Sequence, residues 1–155
     1  MEKVNFTYNK YREGDYDDFM EMAFCLYDED PGGLPITEGN ILRTANECVN
    51  HPEKVQILMI SDGVENIGYG IVAFMWSNEY GGDVVIVDEL FVKAGHRGRH
   101  AASGLFRHVF EAYSDAVMFE LETTPSNQRA LKLYRSFGFE ASANTHMLRR
   151  PTRCV

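Results

Sequence analysis

Four acidic side chains interrupt runs that otherwise look like buried strands: Asp88 and Glu89 in VVIVDELFV, and Glu120 and Glu122 in AVMFELE. A carboxylate inside a central strand must meet solvent, a partner or a ligand. Where it faces a cavity, it can take a proton from a nucleophile. Neighbours on a strand point to opposite faces, so Asp88 and Glu89 are expected to part, while Glu120 and Glu122 share a face. Between the two runs lies KAGHRGRHAASGLF. Gly98 permits a tight turn, Arg97 and Arg99 add charge, and a helix-like pattern follows. First-turn amides of a helix lack intrahelical partners and sit at the positive end of its dipole, so this turn can hold a phosphate. His100 stands where such a turn usually offers a second glycine.

A third set lies in SNQRALKLYRSFGFE. Asn127 falls in the first turn of a helix, Ala130, Tyr134 and Phe137 share one face, and Gly138 ends it. Aromatics at that spacing are ordinary core, yet a phenol also brings a transferable proton.

The surrounding elements follow from hydrophobic period. Residues 4–8 suggest a short strand. Tyr16, Phe19, Met20, Ala23, Phe24 and Tyr27 mark an amphipathic helix, and DPGGLP ends it. Thr37 can cap a second helix carrying Ile41, Leu42, Ala45, Cys48 and Val49. Strand-like runs at 55–60, 67–76 and 84–92 are separated by turn residues and predict antiparallel hairpins. Ala102, Leu105, Phe106, Val109, Phe110 and Tyr113 mark a third helix. A strand at 116–122 and a helix from about 126 to 137 come next, and FEASA and THMLRR offer one or two closing strands. The sum is an α+β (mixed α/β) chain with a mostly antiparallel sheet and helices on both faces.

No linker, repeat or low-complexity tract divides the 155 residues, so residues 1–155 read as a single domain. No apolar run is long enough to span a bilayer, and MEKVNFTYNK lacks a signal-peptide core. Cys25, Cys48 and Cys154 form no metal-ligand spacing and read as reduced thiols, which predicts a cytoplasmic chain with no bound metal. The formal charge of −8 disfavours nucleic acid as a partner. The acidic excess is concentrated in residues 11–30, either as a solvated helix face or as a rim that draws in cations.

Together these segments resemble the Gcn5-related N-acetyltransferase (GNAT) superfamily, whose loop motif is (Gln/Arg)-x-x-Gly-x-(Gly/Ala) after a strand. Arg97 and Ala102 match its outer positions, Leu90-Phe91-Val92 ends the strand, and His100 replaces the middle glycine. The later family motif, Asn-x-x-Ala-x-x-x-Tyr-x-x-x-Gly-Phe, is matched in full by Asn127, Ala130, Tyr134, Gly138 and Phe139. The resemblance implies a central sheet of about six or seven strands, splayed to form a cofactor cleft. It implies acetyl-CoA as co-substrate, with its pyrophosphate on the backbone of Arg97, Gly98, Arg99, His100, Ala101 and Ala102. The pantetheine arm would lie along Leu90, Phe91 and Val92, near Asn127. Tyr134 would protonate the leaving thiolate, and Asp88 or Glu89, ahead of Glu122, would take the amine proton. A small cationic amine is the expected acceptor, with a protein or peptide amine, or a non-catalytic acyl-CoA sensor, as alternatives. A homodimer is compatible with this reading.

Overall fold

The computed structural model describes residues 5–31 and 34–151. In chain order these form β1 (Thr7–Lys10), α1 (Tyr16–Glu29), α2 (Glu38–Asn50), β2 (Val55–Ser61), β3 (Asn66–Ser77), β4 (Gly82–Val92), α3 (Ala101–Ala112), β5 (Met118–Leu121) and α4 (Gln128–Ser136). They fall into two compact units that divide after Glu122.

The first unit is a five-stranded sheet in the order β1-β2-β3-β4-β5. Every pair is antiparallel except β4–β5. A parallel pair needs a long crossover, and α3 supplies it. Helices α1 and α2 bury Phe19, Met22, Ala23, Ile41, Ala45 and Cys48 against Ile57, Met59, Tyr69, Ile71 and Phe91 on one sheet face. Their spacing of three and four is one helical stripe, and the strand residues alternate with period two. On the opposite face, the Phe110 ring of α3 meets Phe119 of β5 at 4.7 Å. Tyr113, at the end of α3, meets Phe74 of β3 at 5.1 Å. Thr37 caps α2 by accepting from the Asn40 amide at 3.2 Å, as its position predicts.

Among the described residues the expected six or seven strands are five. FEASA and THMLRR form no strand, and residues 140–150 are exposed throughout. The Ala and Ser side chains of FEASA offer too little apolar area to offset about 1–2 kcal/mol per residue of backbone ordering. The first strand starts at Thr7 rather than at residue 4, and Val4 lies outside the described residues. Cys25 and Cys48 are free thiols; Cys154 lies outside the described residues. No described helix is long and apolar enough to cross a membrane.

In the second unit, Asn127 is the N-cap of α4, its Oδ1 accepting from the Ala130 amide at 3.2 Å. Gly138 takes φ 86° just past the helix end, the left-handed stop that glycine adopts without a Cβ penalty.

Candidate active site

The site begins with an irregularity in β4. Glu89 pairs with Ile71 of β3, but Val72 pairs with Val87, which leaves Asp88 as an extra residue. Such a β-bulge kinks the strand and redirects side chains. Uniform alternation from Val87 would send Glu89 to the α3 face. The bulge turns it instead towards α1 and α2, in line with Ile71 and Phe91. Asp88 and Glu89 therefore line the same cleft. This overturns the expectation that the two neighbours part.

The cleft has a volume of about 610 Å³ and is walled by Tyr27 of α1, by Asn40, Arg43, Thr44 and Glu47 of α2, and by Val55 and Ile71 of the sheet. Glu89 is held from two sides. The Tyr27 hydroxyl donates to its Oε1 at 2.7 Å, and the Tyr69 hydroxyl donates to its Oε2 at 2.7 Å. Tyr69 is fully buried, and its ring meets Phe19 edge-on at 5.0 Å. Burial pushes the Glu89 pKa up, the two phenol bonds pull it down, and the Asp88 charge pushes it up. Both phenols are raised by burial and by their carboxylate partner, so they remain protonated donors.

Asp88 is different. Among the described residues nothing donates a hydrogen bond to it. It is exposed, yet partial loss of hydration in the cleft wall raises its pKa, and the nearby Glu122 carboxylate raises it further. Glu122 lies one residue beyond β5. A raised, unengaged carboxylate beside a fixed one is an arrangement suited to proton transfer.

The acidic run at 11–30 contributes little to this cleft, since only Tyr27 of that segment lines it. Three of its carboxylates have other partners. Asn66 donates to Asp15 and Asp18 at 3.2 and 2.8 Å, and Glu29 pairs with Arg97.

The β4 edge is open where the resemblance needs it to be. β5 pairs only with Val84–Val87, so from Asp88 onward the outer edge has no strand partner among the described residues. The Lys93 amide donates to Ile67 of β3 at 2.8 Å. Alternation then points the backbone of Leu90 and Val92 outward and that of Phe91 inward. The Val92 carbonyl accepts from Arg97 Nε at 2.7 Å, which leaves Leu90 with both edge groups available for an added strand.

Beyond β4, Ala94–His96 form a single 3-10 turn, and α3 starts at Ala101. The Arg97 guanidinium folds back onto Val92, Glu29 and the Phe91 ring. It fastens the loop rather than reaching outward. Gly98 takes φ 77°. Among the described residues no acceptor meets the amides from Gly98 to Ser103, so this run of donors at a helix start fits a pyrophosphate.

His100, which stands in place of the middle glycine, has φ 69° and ψ 15°, the left-handed region. It is the non-glycine residue with positive φ among those described. The glycine of the family motif is thereby explained, since that position needs this conformation. Histidine is among the few other residues that enter the region with some frequency. His100→Gly should raise stability by roughly 0.5–1 kcal/mol in denaturant titration and leave CoA affinity within about tenfold. His100→Val should lower stability by more, because a β-branched side chain resists that backbone.

Tyr134 lies on α4, its ring 6.3 Å from Phe139, and the Phe139 amide donates to the Tyr134 carbonyl at 3.1 Å. Each position of the second motif thus has a local structural role, as cap, first turn, aromatic face, stop or packing ring.

Sequence patterning missed Tyr27, Tyr69 and Arg43. Tyr27 reads as one more apolar-face residue, although a phenol at the end of such a stripe is a usable signal of a polar partner. Arg43 carries no signal at all.

A family model for the acetyltransferase (GNAT) family matches residues 14–139. The chain belongs to that family. No curated protein is recognisably similar in sequence. Similar solved structures include a possible acetyltransferase from Clostridium difficile 630, at 15% identity over 94% of this chain and 98% of that one, with a TM-score of 0.82. Another is the aminoglycoside N-acetyltransferase AAC(6')-Iy with CoA, at 17% identity over 97% and 96%, TM-score 0.75. A third is ribosomal-protein-alanine N-acetyltransferase from Brucella melitensis, at 15% identity over 94% and 100%, TM-score 0.75. At these identities the likeness is one of fold.

Proposed function

We propose that this acetyltransferase moves the acetyl group of acetyl-CoA onto a primary amine of a small molecule. The observation that carries the proposal is the β4 bulge, which puts a free carboxylate and a clamped one on a single cleft beside an open strand edge. When bound, acetyl-CoA supplies an acetyl group activated as a thioester.

The residues of this chain do the rest. Amides from Gly98 to Ser103 hold the pyrophosphate, and the outward amide and carbonyl of Leu90 take the pantetheine arm as an added strand. Glu89, fixed by Tyr27 and Tyr69, attracts the incoming ammonium. Asp88 accepts its proton, directly or through one water, and so frees the nitrogen lone pair. As the new C–N bond forms and the C–S bond breaks, Tyr134 holds the proton that the departing sulfur needs. The net products are the amide, the free thiol of CoA and one released proton.

A thiol-release screen of small primary amines and short peptides with acetyl-CoA tests this. The expected result is turnover of one class of small amine. Tight CoA binding with no transfer to any amine would leave a sensor module in its place.

A further inference from the structure

The cleft is lined by charges of both signs, contributed by different elements. Asp88 and Glu89 stand on the β4 side, and Arg43 stands on the α2 side. Arg43 has no carboxylate partner among the described residues. Glu47, one helical turn further on and well placed to pair with it, is bound instead to Lys54 at 2.9 Å. Asn40 accepts from Arg43 Nη2 at 2.5 Å, which orients the guanidinium and leaves the Asn40 side-chain NH₂ as a further donor. The Thr44 hydroxyl is engaged by the Asn40 carbonyl at 3.0 Å, so it does not compete. The same lining includes the apolar side chains of Ile36, Val55 and Ile71.

We infer that the acceptor is zwitterionic: an amino-acid-like molecule whose ammonium meets Asp88 and Glu89 while its carboxylate meets Arg43. A guanidinium matches a carboxylate with two parallel donors, which a point charge does not do. A polycation would place its second positive charge against Arg43 and be repelled, so the cleft selects against polyamines and in favour of amino acids. This rests on the amine-acetyltransferase function proposed for the same cleft.

The test is a matched series with acetyl-CoA: α-amino acids and straight ω-amino acids of increasing length, each beside its carboxamide and the plain alkylamine. Expected is a kcat/KM for the best acid about 10- to 100-fold above its carboxamide. In Arg43→Gln that ratio should fall to about one, and Arg43→Lys should restore part of it. Isothermal titration of the best acid, without acetyl-CoA, should show the same loss in Arg43→Gln. Equal turnover of acid, carboxamide and alkylamine, or a preference that survives Arg43→Gln, overturns the zwitterion and keeps the acetyltransferase. Absence of turnover for every member, with CoA still bound, overturns both.

Discussion

Asp88→Asn is expected to lower kcat/KM for amine acetylation by about 10²- to 10⁴-fold at neutral pH. Asparagine keeps the shape and the bulge but accepts no proton. Steady-state rates across pH separate this from a loss of binding alone. In the parent enzyme kcat/KM should rise with pH through the raised Asp88 pKa, because only the carboxylate acts as base. In Asp88→Asn that acidic limb should vanish. Glu122→Gln should instead move the limb to lower pH, because removing the Glu122 charge removes one cause of the upward shift. Stability should move the other way from activity. A carboxyl whose pKa is raised on folding is held more favourably when protonated, so its contribution is full below the unfolded pKa and is lost as pH rises through the folded one. At neutral pH the charged Asp88 therefore opposes folding, and Asp88→Asn should melt no lower than the parent. An unchanged rate profile in Asp88→Asn would move the base elsewhere, with Glu122 next in line.

Tyr134→Phe is expected to cost a similar 10²- to 10⁴-fold, and to cost it in kcat. Phenylalanine keeps the ring that packs on Phe139 and removes only the hydroxyl. Affinity for CoA, read by equilibrium titration, should change little, because the lost interaction matters as charge develops on sulfur. The loss should be visible at neutral and alkaline pH alike up to the ionisation of the phenol itself. A kcat equal to that of the parent at both would remove Tyr134 as the proton donor.

Much of this was legible in the chain. The apolar period of three and four located α1, α2 and α3, and apolar runs set off by turn residues located β2 to β4 within a residue or two. The two motifs located the turn that enters α3 and the whole of α4. What escaped was local conformation. Nothing in VVIVDELFV marks the residue that drops out of register, because a bulge depends on how β3 and β4 meet and not on β4 alone. The left-handed backbone of His100 was hidden for a different reason: histidine tolerates that geometry without announcing it. The closing strands failed because FEASA and THMLRR put too little apolar area behind them. Tyr69 and Glu89, twenty residues apart, are hydrogen-bonded through a strand pairing that no local window contains.

The bulge has a further meaning in genetic terms. On either side of Asp88 the β3–β4 pairing is regular, and the two registers differ by one residue. A chain lacking codon 88 alone would pair evenly along the whole hairpin. Val87 would keep Val72, Glu89 would keep Ile71, and the sheet would lose no partner. The proposed base thus occupies the one position of β4 that the pairing with β3 does not need, and its loss alone would leave an evenly paired scaffold that binds without catalysing.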